Sequence, residues 1–209
     1  MDAESQCHAA QLVGVGGVEM NIIYASAEEC PGEAARLVLE REEGVIVNIG
    51  DKLWCACGQF ADIREDVCAE NDIGILRGHW LGGANVVFPG DLSIMEVRYG
   101  PSCFGEECLR AVCRYLGEDK GLPVCIDGND LMLWDRDTKI ALKVGSHGSN
   151  WVGELTESVV HFSINMDLSL VNRICAKPMV KTPGALSKYG VTAEELWAVA
   201  LTGITGLEE

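Results

Sequence analysis

Residues 77–92 read Arg-Gly-His-Trp-Leu-Gly-Gly-Ala-Asn-Val-Val-Phe-Pro-Gly-Asp-Leu, which sets Gly82 and Gly83 between apolar segments with a Pro-Gly turn behind them. Glycine lacks a Cβ, so such a loop can take positive φ, expose its amides and press against the carboxylate or phosphate of a ligand. The plainer meaning of Gly-Gly between strands is a bulge or tight connection. Downstream, residues 128–141 read Gly-Asn-Asp-Leu-Met-Leu-Trp-Asp-Arg-Asp-Thr-Lys-Ile-Ala and residues 162–168 read Phe-Ser-Ile-Asn-Met-Asp-Leu. A lysine that follows a turn, as Lys139 does, is ordinarily a solvated edge residue.

Helices and strands must bring these pieces together. Residues 31–43 read as a helix, with Pro31 in its first turn and Ala35, Leu37, Val38 and Leu39 as its apolar residues. A short strand follows at 45–48. A second helix at 61–71 precedes a strand at 73–76, which delivers Arg77 to the glycine loop. A long strand at 92–99, a helix at 106–116 stopped by Gly117, and strands at 122–126, 131–134, 139–144 and 159–165 follow. Thr192 and Glu195 form a capping box for a terminal helix reaching Leu201. Strands cluster in the middle and helices flank them, so the expected fold class is α/β: a single domain over 1–209, a central mixed sheet flanked by helices.

Composition excludes several functions. With 48% hydrophobic residues among 209 the chain can bury a sizeable core. A net charge of −16 speaks against nucleic acid as the main partner. There is no apolar run of about 18 residues and no charged start leading into an apolar stretch, so a cytoplasmic protein with no membrane role is the expectation. The 10 cysteines are dispersed and read as reduced thiols. Cys55-x-Cys57 with Cys68 lacks a second pair at zinc spacing, and Cys103, Cys108 and Cys113 recur every five residues, which spreads them around a helix; no metal site is expected. Gly14-Val15-Gly16-Gly17 is too short for a dinucleotide fingerprint. Between Leu168 and Ala193 there is no acid, while Arg173, Lys177, Lys181 and Lys188 all lie there. Such a basic strip meets an anionic ligand or an acidic partner, or solvates a surface segment.

The order of three motifs, Arg77 with the glycine loop and Pro-Gly-x-Leu, the Asn129-Asp130-Leu hairpin leading to Lys139-Ile-Ala, and the Asn-x-Asp-Leu strand end, resembles that of lipoate-protein ligases and octanoyltransferases in the biotin/lipoate protein ligase family. The likeness runs from about Glu33 to about Val191. It implies a class II synthetase-like architecture. It also implies an acyl pocket whose ligand-binding residues are Arg77, Gly82, Gly83, Ala84, Asn129 and Asp130, with Lys139 as the catalytic cation. Trp80, Leu81 and Val86-Val87 depart from the family pattern and imply a narrower or rearranged head-group site.

Three activities follow from the resemblance. A ligase would use ATP and magnesium to attach a lipoyl or related acyl group to a carrier lysine through an acyl-adenylate. An octanoyltransferase would need no cofactor and would carry the octanoyl group on Cys125 or Cys175, although either cysteine reads equally as a buried small hydrophobe. A non-catalytic member would bind an acyl ligand or a carrier domain. The implied partners are an acidic lipoyl-carrier domain or acyl carrier protein and, because the chain lacks the length for an accessory domain, a separate accessory chain. His161 lies two residues beyond the position of a family histidine and reads as a packed strand residue.

Overall fold

The computed structural model describes residues 11–15, 18–58, 61–78, 83–177 and 179–205. Its strands form two mixed sheets. The larger is ordered β1(Gln11–Val15), β2(Val18–Tyr24), β3(Gly44–Ile49), β7(Leu92–Tyr99), β11(Leu155–Phe162), β10(Ile140–Val152), β9(Asp130–Asp135), β8(Val124–Asp127), and the smaller is ordered β5(Gly74–Gly78), β4(Trp54–Gly58), β6(Ala84–Val87). Pairing is antiparallel except for β2 with β3 and β4 with β5. Helices α1(Cys30–Glu40), α2(Glu65–Glu70), α3(Phe104–Glu118), α4(Leu168–Ile174) and α5(Ala193–Thr205) cover the sheets. No helix among the described residues is long and apolar enough to cross a membrane.

The centre of the large sheet is buried on both faces, which explains its near-continuous apolar strands. Val45, Val47, Leu92 and Ile94 point toward α3 and α5, while Ile46, Met95 and Val97 point toward α1. Alternation along each strand sends successive residues to opposite faces. On α3, Phe104, Cys108, Leu109, Val112 and Leu116 recur at helical spacing and are all buried. Helix α1 ends where Arg41 takes φ 55° and Glu42 N–H donates to Leu37 O at 2.9 Å. The capping box of α5 forms as the sequence requires: Thr192 N–H donates to Glu195 Oε2 at 3.0 Å and Glu195 N–H to Thr192 Oγ1 at 3.3 Å.

Two expectations are corrected. The second helix starts at Glu65 rather than residue 61, because Ile63 bridges to Cys175 and Arg64 N–H donates to Ile174 O at 2.8 Å, holding that stretch extended. The strand expected at 139–144 runs over Ile140–Val152, since β11 pairs with its polar second half from Gly145 to Val152.

The motifs near residues 89 and 165 are structural joints. Asp91, fully buried, accepts N–H bonds from Phe88 at 2.8 Å, Ile164 at 2.7 Å and Asn165 at 2.8 Å, which ties the β6–β7 turn to the segment after β11. Gly90 has φ 86°, and a Cβ there would sit 2.6 Å from Asn165 Nδ2, so the Pro-Gly pair meets both the turn and the close approach. Asp167 caps α4 by accepting from Ser169 N–H and Leu170 N–H.

Candidate functional site

A cleft of ≈ 550 Å³ opens where the small sheet meets the β9–β10 end of the large one, within the size range of small-ligand sites. Gly83 and Ala84 form one wall, Asp130 of β9 and Lys143 of β10 another, and Cys175 with Lys181 a third. Gly83 has open space where a Cβ would stand, and its carbonyl accepts from Gly58 N–H at 2.9 Å. A ligand can therefore approach this backbone closely. Gly82, with His79, Trp80 and Leu81, lies outside the described residues.

Lys143 joins Lys177 and Lys181 as a cation lining the cleft with Gly83, and of the three it is the one carried on a strand of the sheet. Its Nζ lies 2.8 Å from Asp130 Oδ1, and Lys181 Nζ lies 2.8 Å from Asp130 Oδ2 and 2.9 Å from Asp127 Oδ2. Burial raises the Asp130 carboxyl, and the hydrogen bonds from Lys143 and Lys181 more than offset it, leaving the group below the ordinary carboxylate range. The Lys143 backbone is clamped as well, its N–H donating to Thr182 O at 2.7 Å and its carbonyl accepting from Gly184 N–H at 2.9 Å. Only glycine fits at 184, because a Cβ there would lie 2.6 Å from Leu142 Cβ.

Lys139 takes a different place from the one its motif implies. It closes the β9–β10 turn at φ 57°, exposed, with its N–H donating to Asp135 O at 2.8 Å, and it is not among the residues lining the cleft. Four residues of strand separate it from Lys143, about 13 Å. Arg77 likewise stands outside the lining. Its guanidinium donates to the carbonyls of Gly58 and Ala61 and pairs with Glu65, bracing the approaches to the glycine loop. Asn129 is exposed in the β8–β9 turn and its carbonyl accepts from His147 N–H at 2.9 Å.

The two cysteines also separate. Cys125 is exposed on the edge strand β8, away from the cleft lining, whereas Cys175 lines the cleft and burial pushes its thiol above the ordinary range. Val86 and Val87 are buried on opposite faces of β6. The basic strip is largely neutralised by acids from other elements: Arg173 by Glu70, Lys177 by Asp62, Lys188 by Asp135 and Asp137. Arg173 and Lys177 keep the longest of these pairings, both at 3.5 Å, and Lys177 is the more exposed, 79% at its side chain.

Inward from Lys143, the cleft narrows into an extension of ≈ 70 Å³ walled by Ser146, His161 and Asn85, and beyond it lies a chamber of ≈ 30 Å³ between the two sheets that shares Asn85 and His161 as walls. His161 is held by Ser93 Oγ at 3.2 Å and Ser163 Oγ at 3.3 Å, with Asp91 Oδ2 at 3.8 Å. Burial, followed by the charge of Lys143, lowers its imidazole to about 4, so it is neutral at pH 7. Burial pushes the Asp91 carboxyl the other way, to about 7, against its three amide donors. The sequence reading includes Lys181 within the basic strip but neither Lys143 nor the Asp91–His161 contact; the Lys-x-Gly-Ser run at 143–146, a cation just before a glycine within a strand, is the available signal for Lys143.

No protein-family model and no curated protein sequence matches the chain. Solved structures do match. A Thermoplasma acidophilum protein assigned as a lipoate protein ligase, solved with lipoic acid bound, aligns at TM-score 0.69 and 14% identity over 90% of this chain and 86% of its own. A chain from the archaeal lipoylation system of the same organism, a bipartite lipoate protein ligase with its E2 lipoyl domain, aligns at TM-score 0.68 and 13% identity over 88% of this chain and 81% of its own. A lipoate-protein ligase A bound with ATP aligns at TM-score 0.68 and 15% identity over 88% and 83%. The mixed sheet and its flanking helices thus share the fold of these lipoate-protein ligases.

Proposed function

We propose that this chain is a divergent member of the biotin/lipoate protein ligase family, one domain over 1–209, that activates an acyl acid with ATP and passes the acyl group to a carrier-protein lysine. The observation that carries this reading is Lys143 facing Gly83 and Ala84 across a cleft of ligand size. In the first step an acyl carboxylate oxygen attacks the α-phosphorus of ATP and pyrophosphate leaves. In the second the carrier lysine's amine attacks the acyl carbonyl and AMP leaves. Both steps build negative charge on oxygens, which a fixed ammonium stabilises in a site shielded from water. Lys143 can turn to the ligand at small cost, because Asp130 keeps Lys181 as its second partner.

Structural relatives carry lipoic acid and ATP, which supports the choice of substrates. Magnesium would accompany ATP and neutralise charge on its phosphates, and Asp62 and Asp130 are the carboxylates on the cleft wall that would be available to it. The relative studied with an E2 lipoyl domain supports a lipoyl-carrier partner, and its bipartite form supports a separate accessory chain. Against a net charge of −16, an acidic carrier would approach through a local cation such as Lys177.

The cysteine-transfer reading has one observation in its favour, the position of Cys175 on the cleft wall. Its raised thiol works against it, since the thiolate is the nucleophile. The deciding experiment incubates the protein with lipoate, ATP, magnesium and a lipoyl domain and weighs the domain. A lipoyl mass increase that requires ATP supports ligation; an octanoyl increase from an octanoyl-carrier donor without ATP supports transfer and overturns the proposal.

A further inference from the structure

A row of polar residues crosses five strands of the large sheet. Asp130 of β9 pairs with Ser146 of β10, Ser146 with His161 of β11, His161 with Ser93 of β7, and Ser93 with Asn48 of β3. Residues directly opposite in antiparallel pairs present their side chains to one face, so this row runs from the cleft wall to the chamber between the sheets. At about 4.8 Å per strand, the three steps from β10 to β3 span about 14 Å, a distance suited to an extended medium-chain acyl group.

The row ends at Asn48, whose Oδ1 has no hydrogen-bond partner among the described residues, and on the facing small sheet Trp54 Nε1 of β4 has none either. Asn48 is 1% exposed and Trp54 8% exposed, and both line the ≈ 30 Å³ chamber. The other end of the Asn48 amide is committed, donating from Nδ2 to Ala25 O at 2.9 Å, so its oxygen is the end left over. An unpaired buried acceptor and an unpaired buried donor each cost free energy, and a plain hydrocarbon end would leave both unpaired. The volume accommodates a group of about the size of a water molecule. A hydroxyl offers both complements, a donor for Asn48 Oδ1 and an acceptor for Trp54 Nε1–H, and fits the space.

We infer that the substrate class of this site is a medium-chain acyl acid carrying a hydroxyl at its far end, read by Asn48 and Trp54, with Lys143 at the carboxyl end. The inference rests on the acyl-ligase reading above and narrows it. Calorimetric titration of the full chain with octanoate and with ω-hydroxyoctanoate tests it. The hydroxy acid is expected to bind at least about 10-fold tighter, the effect of pairing rather than abandoning buried polar groups. Trp54→Phe keeps the apolar ring and removes only the donor, so it should bring the ratio toward one, as should Asn48→Leu. If Asn48→Leu fails to fold through loss of its bond to Ala25, the wild-type ratio and Trp54→Phe still decide. Equal binding of the two acids by wild type, as when a water bridges the two atoms, overturns the hydroxyl reading and leaves the acyl-ligase reading standing. So does a preference that Trp54→Phe does not change. Binding of neither acid overturns both.

Discussion

Replacing Lys143 by Met removes its charge and keeps most of its apolar stem. The ammonium lies 2.8 Å from Asp130 Oδ1, on a side chain 31% exposed, and Asp130 retains Lys181 at 2.8 Å on its other oxygen. The carboxylate is therefore not orphaned, and a partly exposed pair of this kind contributes about 1 kcal/mol. The catalytic effect should be far larger, because a charge placed where oxyanions develop is worth about 100- to 1000-fold in kcat, or about 3–4 kcal/mol. Lipoate-dependent ATP turnover and a thermal melt, read on the same preparation, separate the two. Lys143→Met is expected to melt within a few degrees of wild type and to lose turnover about 100-fold or more. Turnover within a few-fold of wild type would refute the assignment of Lys143. A 100-fold loss in Lys139→Met instead would return the role to the turn lysine.

Lys139 holds φ 57°, a conformation costly for residues with a Cβ, so Lys139→Gly should raise stability by up to about 1 kcal/mol in urea unfolding and leave turnover unchanged. Asp91→Ala orphans three backbone N–H donors, two of them on the buried residues Phe88 and Ile164, and should cost roughly 3 kcal/mol or more in the same assay. His161 is kept neutral by burial with its imidazole lowered to about 4, whereas the unfolded chain takes up a proton below about 6.5. Its contribution is thus complete above that pH and lost as pH falls to about 4, a change of about 3 kcal/mol that His161→Gln should lack. Asp91, raised to about 7, acts in the opposite sense, its contribution falling as pH rises, so the difference between His161→Gln and wild type carries the test rather than either curve alone.

Local chemistry was readable along the chain wherever neighbours in sequence decide the outcome. Pro31 opens α1, the box of Thr192 and Glu195 opens α5, and the 3.6-residue stripe of α3 is plain. The motif order led to the fold that solved structures share. Lys143 was hidden for a physical reason: residues 139 and 143 are four apart, so strand alternation gives them the same face, and only the position of the turn and of the glycine loop across the cleft distinguishes them. Residues 145–152 are polar and glycine-rich and look like a loop, yet β11 pairs with all of them. The row from Asp130 to Asn48 depends on the register of five strands far apart in sequence, which no local pattern encodes.

Acid activation is the step that separates ligation from every alternative, and it is read most directly by acyl-dependent exchange of labelled pyrophosphate into ATP. The ligase account predicts exchange that requires lipoate or another acyl acid, is accompanied by an acyl-adenylate in the mass spectrum, and falls about 100-fold or more in Lys143→Met. Formation of an acyl thioester on Cys175 from an octanoyl donor, with no exchange and no need for ATP, would contradict it.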